Sequence, residues 1–143
     1  MMQAIPEIIR DFIHSQHVVS LACYYEESIW CANCFYAFDE NNNRLIILTK
    51  ETTQHGRLMQ LNPRIAGTIA KQTEKITEIE GIQFLAEAYC LTDSLAKENA
   101  LEIYLQRHPI AKLIPSNVWE IKFTEIKHTN NKFAFANKTL WRK

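Results

Sequence analysis

Apolar runs in this chain follow one another with no helix between them, and that order leaves few folds open. Residues 18–25, 29–38 and 44–49 are successive stretches rich in β-branched and aromatic side chains, the composition of strands. A short gap separates the first two, and the turn-like Asp39-Glu40-Asn41-Asn42-Asn43 separates the next two, so they predict an antiparallel meander. Residues 64–73 and 75–91 predict two long strands joined by a tight polar turn, with Ile76, Glu78, Glu80 and Ile82 on one face of the second. Residues 118–127 alternate Trp119, Ile121 and Phe123 against Glu120, Lys122 and Thr124, and the tail 133–141 supplies a last short strand.

Three helices interrupt this series. Residues 4–16 carry Ile5, Ile8, Ile9, Phe12 and Ile13 at helical spacing, with Pro6 near the start where a missing N–H costs little. Thr52 or Thr53 caps a short helix bearing Leu58 and Leu61, which Asn62-Pro63 stops. Asp93 or Ser94 opens the third, with Leu101, Tyr104 and Leu105 on one side and His108-Pro109 after it. Strand following strand is not the strand–helix alternation of a parallel sheet. The expected fold is α+β: six or seven antiparallel strands closing into a barrel, with three helices at its ends and gaps.

Length and charge narrow the function classes. The 143 residues make one domain, residues 1–143, large enough to bury a core without metal or disulfide support. Sixteen basic residues balance sixteen acidic ones, so no net field draws the chain to nucleic acid or to an anionic membrane. No run reaches the ~18 apolar residues of a bilayer span, and the N-terminus lacks the pattern of a signal peptide. A cytoplasmic location is expected, with the four cysteines as free thiols. Cys31 and Cys34 form a C-x-x-C, but three positions apart on a strand they face opposite sides, so no metal site is expected. The three glycines, at 56, 67 and 81, are too far apart for a G-x-G-x-x-G or Walker loop.

Without a glycine-rich loop, an anion has to be held by a helix N-terminus and polar side chains. Thr49-Lys50-Glu51-Thr52-Thr53-Gln54-His55-Gly56-Arg57 offers both. A strand end brings a hydroxyl and an ammonium; the cap brings more hydroxyls and unsatisfied N–H groups. Donors converging in this way suit a phosphate monoester, and basic residues in a first helical turn oppose the helix dipole unless an anion sits there. The other reading is a capped, solvated first turn. Asn33-Cys34-Phe35-Tyr36, on the preceding strand, either packs in the sheet or edges a flat ligand. Gln83, flanked by Ile82 and Phe84, contacts either a ligand or its own sheet neighbours. No H-E-x-x-H and no G-x-S-x-G occurs.

The run 45–49, then Thr53-x-His55, then Leu61-Asn62-Pro63-Arg64-Ile65-Ala66, resembles the FMN-binding split barrels related to pyridoxamine 5'-phosphate oxidase. Trp30-Cys31-Ala32-x-Cys34-Phe35-Tyr36, His55-Gly56, Gly67-Thr68-Ile69-Ala70, Gly81-Ile82-Gln83-Phe84 and Val118-Trp119-Glu120 are similar to its uncharacterised bacterial YhbP-type branch. The likeness runs from about Val18 to Trp141. It implies a split barrel, a homodimer with FMN at the subunit interface, and oxidoreductase chemistry on a small molecule. A split-barrel binding module holding another ligand is the alternative. Carried over by position, Leu48 and Thr49 lie along the flavin, while Thr53, Gln54 and His55 take the phosphate with Lys50 adjacent. Asn33, Cys34, Phe35 and Tyr36 run beside the ring, Gln83 is the polar contact on the fifth strand, and Trp141 reaches the site across the dimer. His55 stands where the oxidases place a lysine. The arginine and histidine that grip their substrate have no counterpart here, so pyridoxamine phosphate oxidation itself is not expected.

Overall fold

The computed structural model describes residues 3–132 and 137–143, and in them the strand series closes on itself. Eight strands pair antiparallel throughout. They are β1 (Val18–Tyr25), β2 (Ser28–Phe35), β3 (Ala37–Asp39), β4 (Arg44–Leu48), β5 (Arg64–Ala70), β6 (Glu80–Cys90), β7 (Val118–Asn130) and β8 (Asn137–Arg142). The order across the sheet is β2-β1-β5-β6-β7-β4-β3, with β8 also on β7. The helices are α1 (Glu7–Ser15), α2 (Gln54–Leu61) and α3 (Ser94–Arg107).

One residue closes the barrel. β2 and β3 are separated only by Tyr36, yet they occupy opposite edges of the sheet. The two edges must therefore approach each other, which a flat sheet cannot do. Tyr36 is buried at that seam, its hydroxyl donating to the Ile13 carbonyl at 2.6 Å and its N–H to the His17 carbonyl at 3.0 Å. The run 29–38 thus counts as two strands, and the expected meander resolves into the hairpins β1–β2 and β3–β4, with β7 as the other neighbour of β4. This is the α+β split barrel.

Alternation decides which side chains fill it. Leu45 and Ile47, Ile82 and Phe84, Trp119, Ile121 and Phe123 point inward and are buried. α1 closes one end with Ile9, Phe12 and Ile13, each such side chain contributing roughly 1.5–3 kcal/mol. Pro6 is its N-cap, and Ile8 faces outward. α3 packs in a second cluster, seating Ala100 and Tyr104 with Ala37, Ile46 and Val118.

Two local expectations change. β5 and β6 are shorter than residues 64–73 and 75–91, because Ile76–Glu78 is a 3-10 turn rather than strand. Asn131 holds the turn by bonding the Ile76 and Ile79 carbonyls. On α2 the seated residues are Leu58 and Met59, whereas Leu61 is exposed. Two residues beyond Met59, Leu61 is rotated about 200° around the helix. The tail strand begins at Asn137; the expected start, Phe133, lies outside the described residues.

Candidate functional site

The end of β4 and the start of α2 form a hydrogen-bonded turn. Thr53 is the N-cap, accepting from the Gly56 N–H at 3.0 Å while its hydroxyl donates to the Lys50 carbonyl at 2.8 Å. His55 Nε2 lies 2.7 Å from the Thr49 hydroxyl and 3.4 Å from that of Thr53. Three sequence-predicted residues are therefore in one cluster. Gly56 makes the turn possible, because a Cβ there would stand 2.4 Å from the Lys50 carbonyl oxygen and 2.9 Å from the Glu51 Cα. From behind, the Trp119 indole donates to the Thr49 carbonyl at 3.0 Å, and Asn117 accepts from the Glu51 N–H at 2.9 Å.

The turn presents donors. The N–H groups of Gln54 and His55, in the first turn of α2, have no acceptor among the described residues. Burial pulls the His55 pKa below the usual histidine range, so the imidazole is neutral near pH 7. Lys50, in the same turn, is exposed. The Glu51 carboxylate is taken up by the Gln60 amide at 2.6 Å, and Arg57 reaches the Gln54 side chain at 3.3 Å.

The β2 residues divide by face. Phe35 is exposed, with the His17 and His108 rings at 5.8 and 5.6 Å, and β2 touches β4. Cys34 packs against the core, and burial pushes its thiol up to about 11, so it is no thiolate at neutral pH. Tyr36, expected beside a ring, is the buried seam residue and its hydroxyl is already bonded. Trp141, expected to reach across a dimer, is buried in its own barrel, with its indole N–H on the Gln3 carbonyl at 3.2 Å. A tryptophan anchored under the N-terminal segment has no free side chain to lend.

Gln83 belongs to a different region. It is exposed on the outer face of β6, in a groove of about 720 Å³ none of whose lining residues comes from the turn. The strand register puts Asn33, Ser20, Thr68, Gln83 and Lys127 in one row across β2, β1, β5, β6 and β7. In the next row Cys31, Ala22, Ala66 and Leu85 form an apolar floor, followed by Glu125 and Arg142. Sequence reasoning found Asn33 and Gln83 but missed Ser20, Thr68 and Lys127. Each is a single polar residue on its own strand, and only pairing shows that they align.

Comparison with known proteins follows the fold. No family model matches the chain. A UPF0306 protein of Haemophilus ducreyi is 45% identical over 143 residues, covering 99% of this chain and 98% of that protein. Among solved structures, a heme binding protein from Mycobacterium smegmatis superposes with a TM-score of 0.80 at 15% identity, over 99% of this chain and 59% of that one. An FAD-binding protein from Mesorhizobium loti gives 0.71 at 11% identity, over 88% and 95%. A candidate pyridoxamine 5'-phosphate oxidase from Listeria innocua gives 0.69 at 14%, over 87% and 97%. At these identities the structural likeness shows the fold alone.

Proposed function

The chain belongs to the UPF0306 family and folds as a pyridoxamine 5'-phosphate oxidase-like split barrel, and from that premise we propose that it is an FMN-binding oxidoreductase acting on a small molecule. The observation that carries the reading is the turn at Thr49–His55. The free backbone N–H groups of Gln54 and His55 stand there beside the hydrogen-bonded Thr49–His55 pair, with Lys50 in the same turn, donors of the kind a phosphate monoester takes. Thr49, Thr53, Gln54 and His55 would hold the phosphate. Leu48, Asn33, Cys34 and Phe35 would border the ring, with Cys34 contributing packing rather than a reactive thiolate. Bound there, the isoalloxazine supplies the redox chemistry while the chain orients it.

A second copy of the chain completes the site in this reading. Gln83 and the turn lie in separate regions of one chain, so a single flavin meets both most simply across a homodimer. The β1–β2 hairpin leaves Tyr24, Ile29 and Trp30 exposed, at 50%, 76% and 52% of their surface, an apolar area of the kind that subunit contacts cover. Among the described residues no helix is long and apolar enough to cross a membrane.

The test is FMN titration followed by flavin fluorescence. Thr53→Ala and His55→Ala should each weaken binding at least about tenfold, the order expected for losing a hydrogen bond to a charged group. Unchanged affinity in both variants would remove the turn from the site and favour the binding-module alternative.

A further inference from the structure

We propose that the outer groove is an anion-binding subsite for a small planar carboxylate, whose body lies on Ala22, Ala66 and Leu85 and whose charge meets Lys127. At about 720 Å³ the groove has the size of small-molecule sites, and its floor is apolar with a few polar groups at the rim, as such sites require.

The polar groups are predominantly donors. Ser20 gives its proton to the Asn33 carbonyl oxygen at 2.6 Å, and both Asn33 amide N–H groups are left to donate. The side chains of Thr68, Gln83 and Lys127 have no hydrogen-bond or ion-pair partner among the described residues. Two arginines of the barrel are matched: Arg44 lies between Asp39 and Glu120, and Arg142 is paired with Glu125.

Lys127 is half-buried without such a match. On its face of β7 the neighbours are Glu125, already paired, and Thr129; across the strands they are Gln83, Leu140, Lys138 and Arg142. This wall therefore holds Lys127, Lys138 and Arg142 against the single acid Glu125, in a chain whose net charge is zero. A carboxylate there would supply a counter-charge, with the Thr68 hydroxyl able to bond the same ligand. Apolar floor and cationic wall together select a conjugated or aromatic monoanion over a neutral ring or a bulky polyanion. The assignment of this ligand as the flavin's reaction partner rests on the reading above; its binding does not.

The experiment uses the full chain, with and without FMN, and benzoate as the probe, with benzamide as its uncharged counterpart. Binding is read from amide chemical shifts of Thr68, Gln83 and Lys127. Benzoate should shift these amides, Lys127→Gln should raise its dissociation constant roughly tenfold, Lys127→Arg should restore most of the affinity, and benzamide should bind equally weakly to all three proteins. Benzoate that leaves the groove amides unmoved, or binds Lys127→Gln as well as the parent, overturns the proposal. If FMN fails to bind while benzoate still shifts the groove, the flavin reading falls and the anion subsite stands. If FMN binds and benzoate does not, the reverse holds.

Discussion

The turn at Thr49–His55 and the groove on the outer face are built in opposite ways. The turn is local: its cap, its imidazole and its glycine come from eight consecutive residues, 49–56, and its Thr49, Thr53 and His55 side chains are braced by hydrogen bonds to one another or to the backbone. The groove is assembled by register from six strands, and its central polar side chains are bonded to nothing among the described residues. A braced region couples ligand binding to stability. An unbraced one can be altered chemically at little cost to the fold.

The two glycines give the largest effects. Gly56→Ala drives a Cβ into backbone at 2.4 Å, and Gly67→Ala drives one to within 2.3 Å of the Phe84 ring and 2.6 Å of the Ser20 carbonyl. Each should lose about 3 kcal/mol in denaturant unfolding, at the upper end for overpacking. Gly56→Ala should also abolish FMN binding, because the hydroxyls and N–H groups no longer converge. A Gly56→Ala chain of parental stability would show that the turn is not braced as described.

Thr53→Ala comes next. Removing the N-cap oxygen orphans the Gly56 N–H and should cost about 1 kcal/mol, measured by the shift of the unfolding midpoint. Thr53→Ser should recover most of it.

A pH dependence follows from His55. Its folded pKa lies below the unfolded value of 6.5 because burial disfavours the charged form. Below pH 6.5 the unfolded chain therefore binds a proton that the folded chain resists, and stability falls as pH drops through that window. His55→Gln should flatten this part of the stability profile between pH 7 and pH 5. An equally steep loss in the variant would assign it to other groups.

The smallest stability effects are expected at the unpartnered polar side chains of the groove. Lys127→Gln and Gln83→Leu remove side chains with no intramolecular partner, so unfolding free energies should stay within about 0.5 kcal/mol of the parent. A loss above 1 kcal/mol in either would mean that the row is structural, and the contrast between the two regions would fail.

The same contrast explains what could be read from the sequence. Asn62-Pro63 as stop and the cap pairs Thr52/Thr53 and Asp93/Ser94 are local signals, and the structure takes Thr53 and Asp93 from those pairs. Strand identity was legible for the same reason, since alternation is local. The split of 29–38 at Tyr36 was not, because it arises from closing the two sheet edges, a constraint with no signature inside the run. Gln83 illustrates the limit. Its polarity is visible between Ile82 and Phe84, but alternation turns it outward beside Thr68 and Lys127. Trp141 shows the complementary failure: a tryptophan near the tail suggested a docking residue, whereas the Gln3 carbonyl and the core hold it in place.

The most direct test of the flavin account is an equilibrium dialysis of the full chain against FMN, read by visible absorbance. The account predicts saturation at one FMN per chain with a perturbed flavin spectrum, and loss of that binding in Gly56→Ala. Flavin equal on both sides of the membrane, or equal uptake by parent and Gly56→Ala, would contradict it.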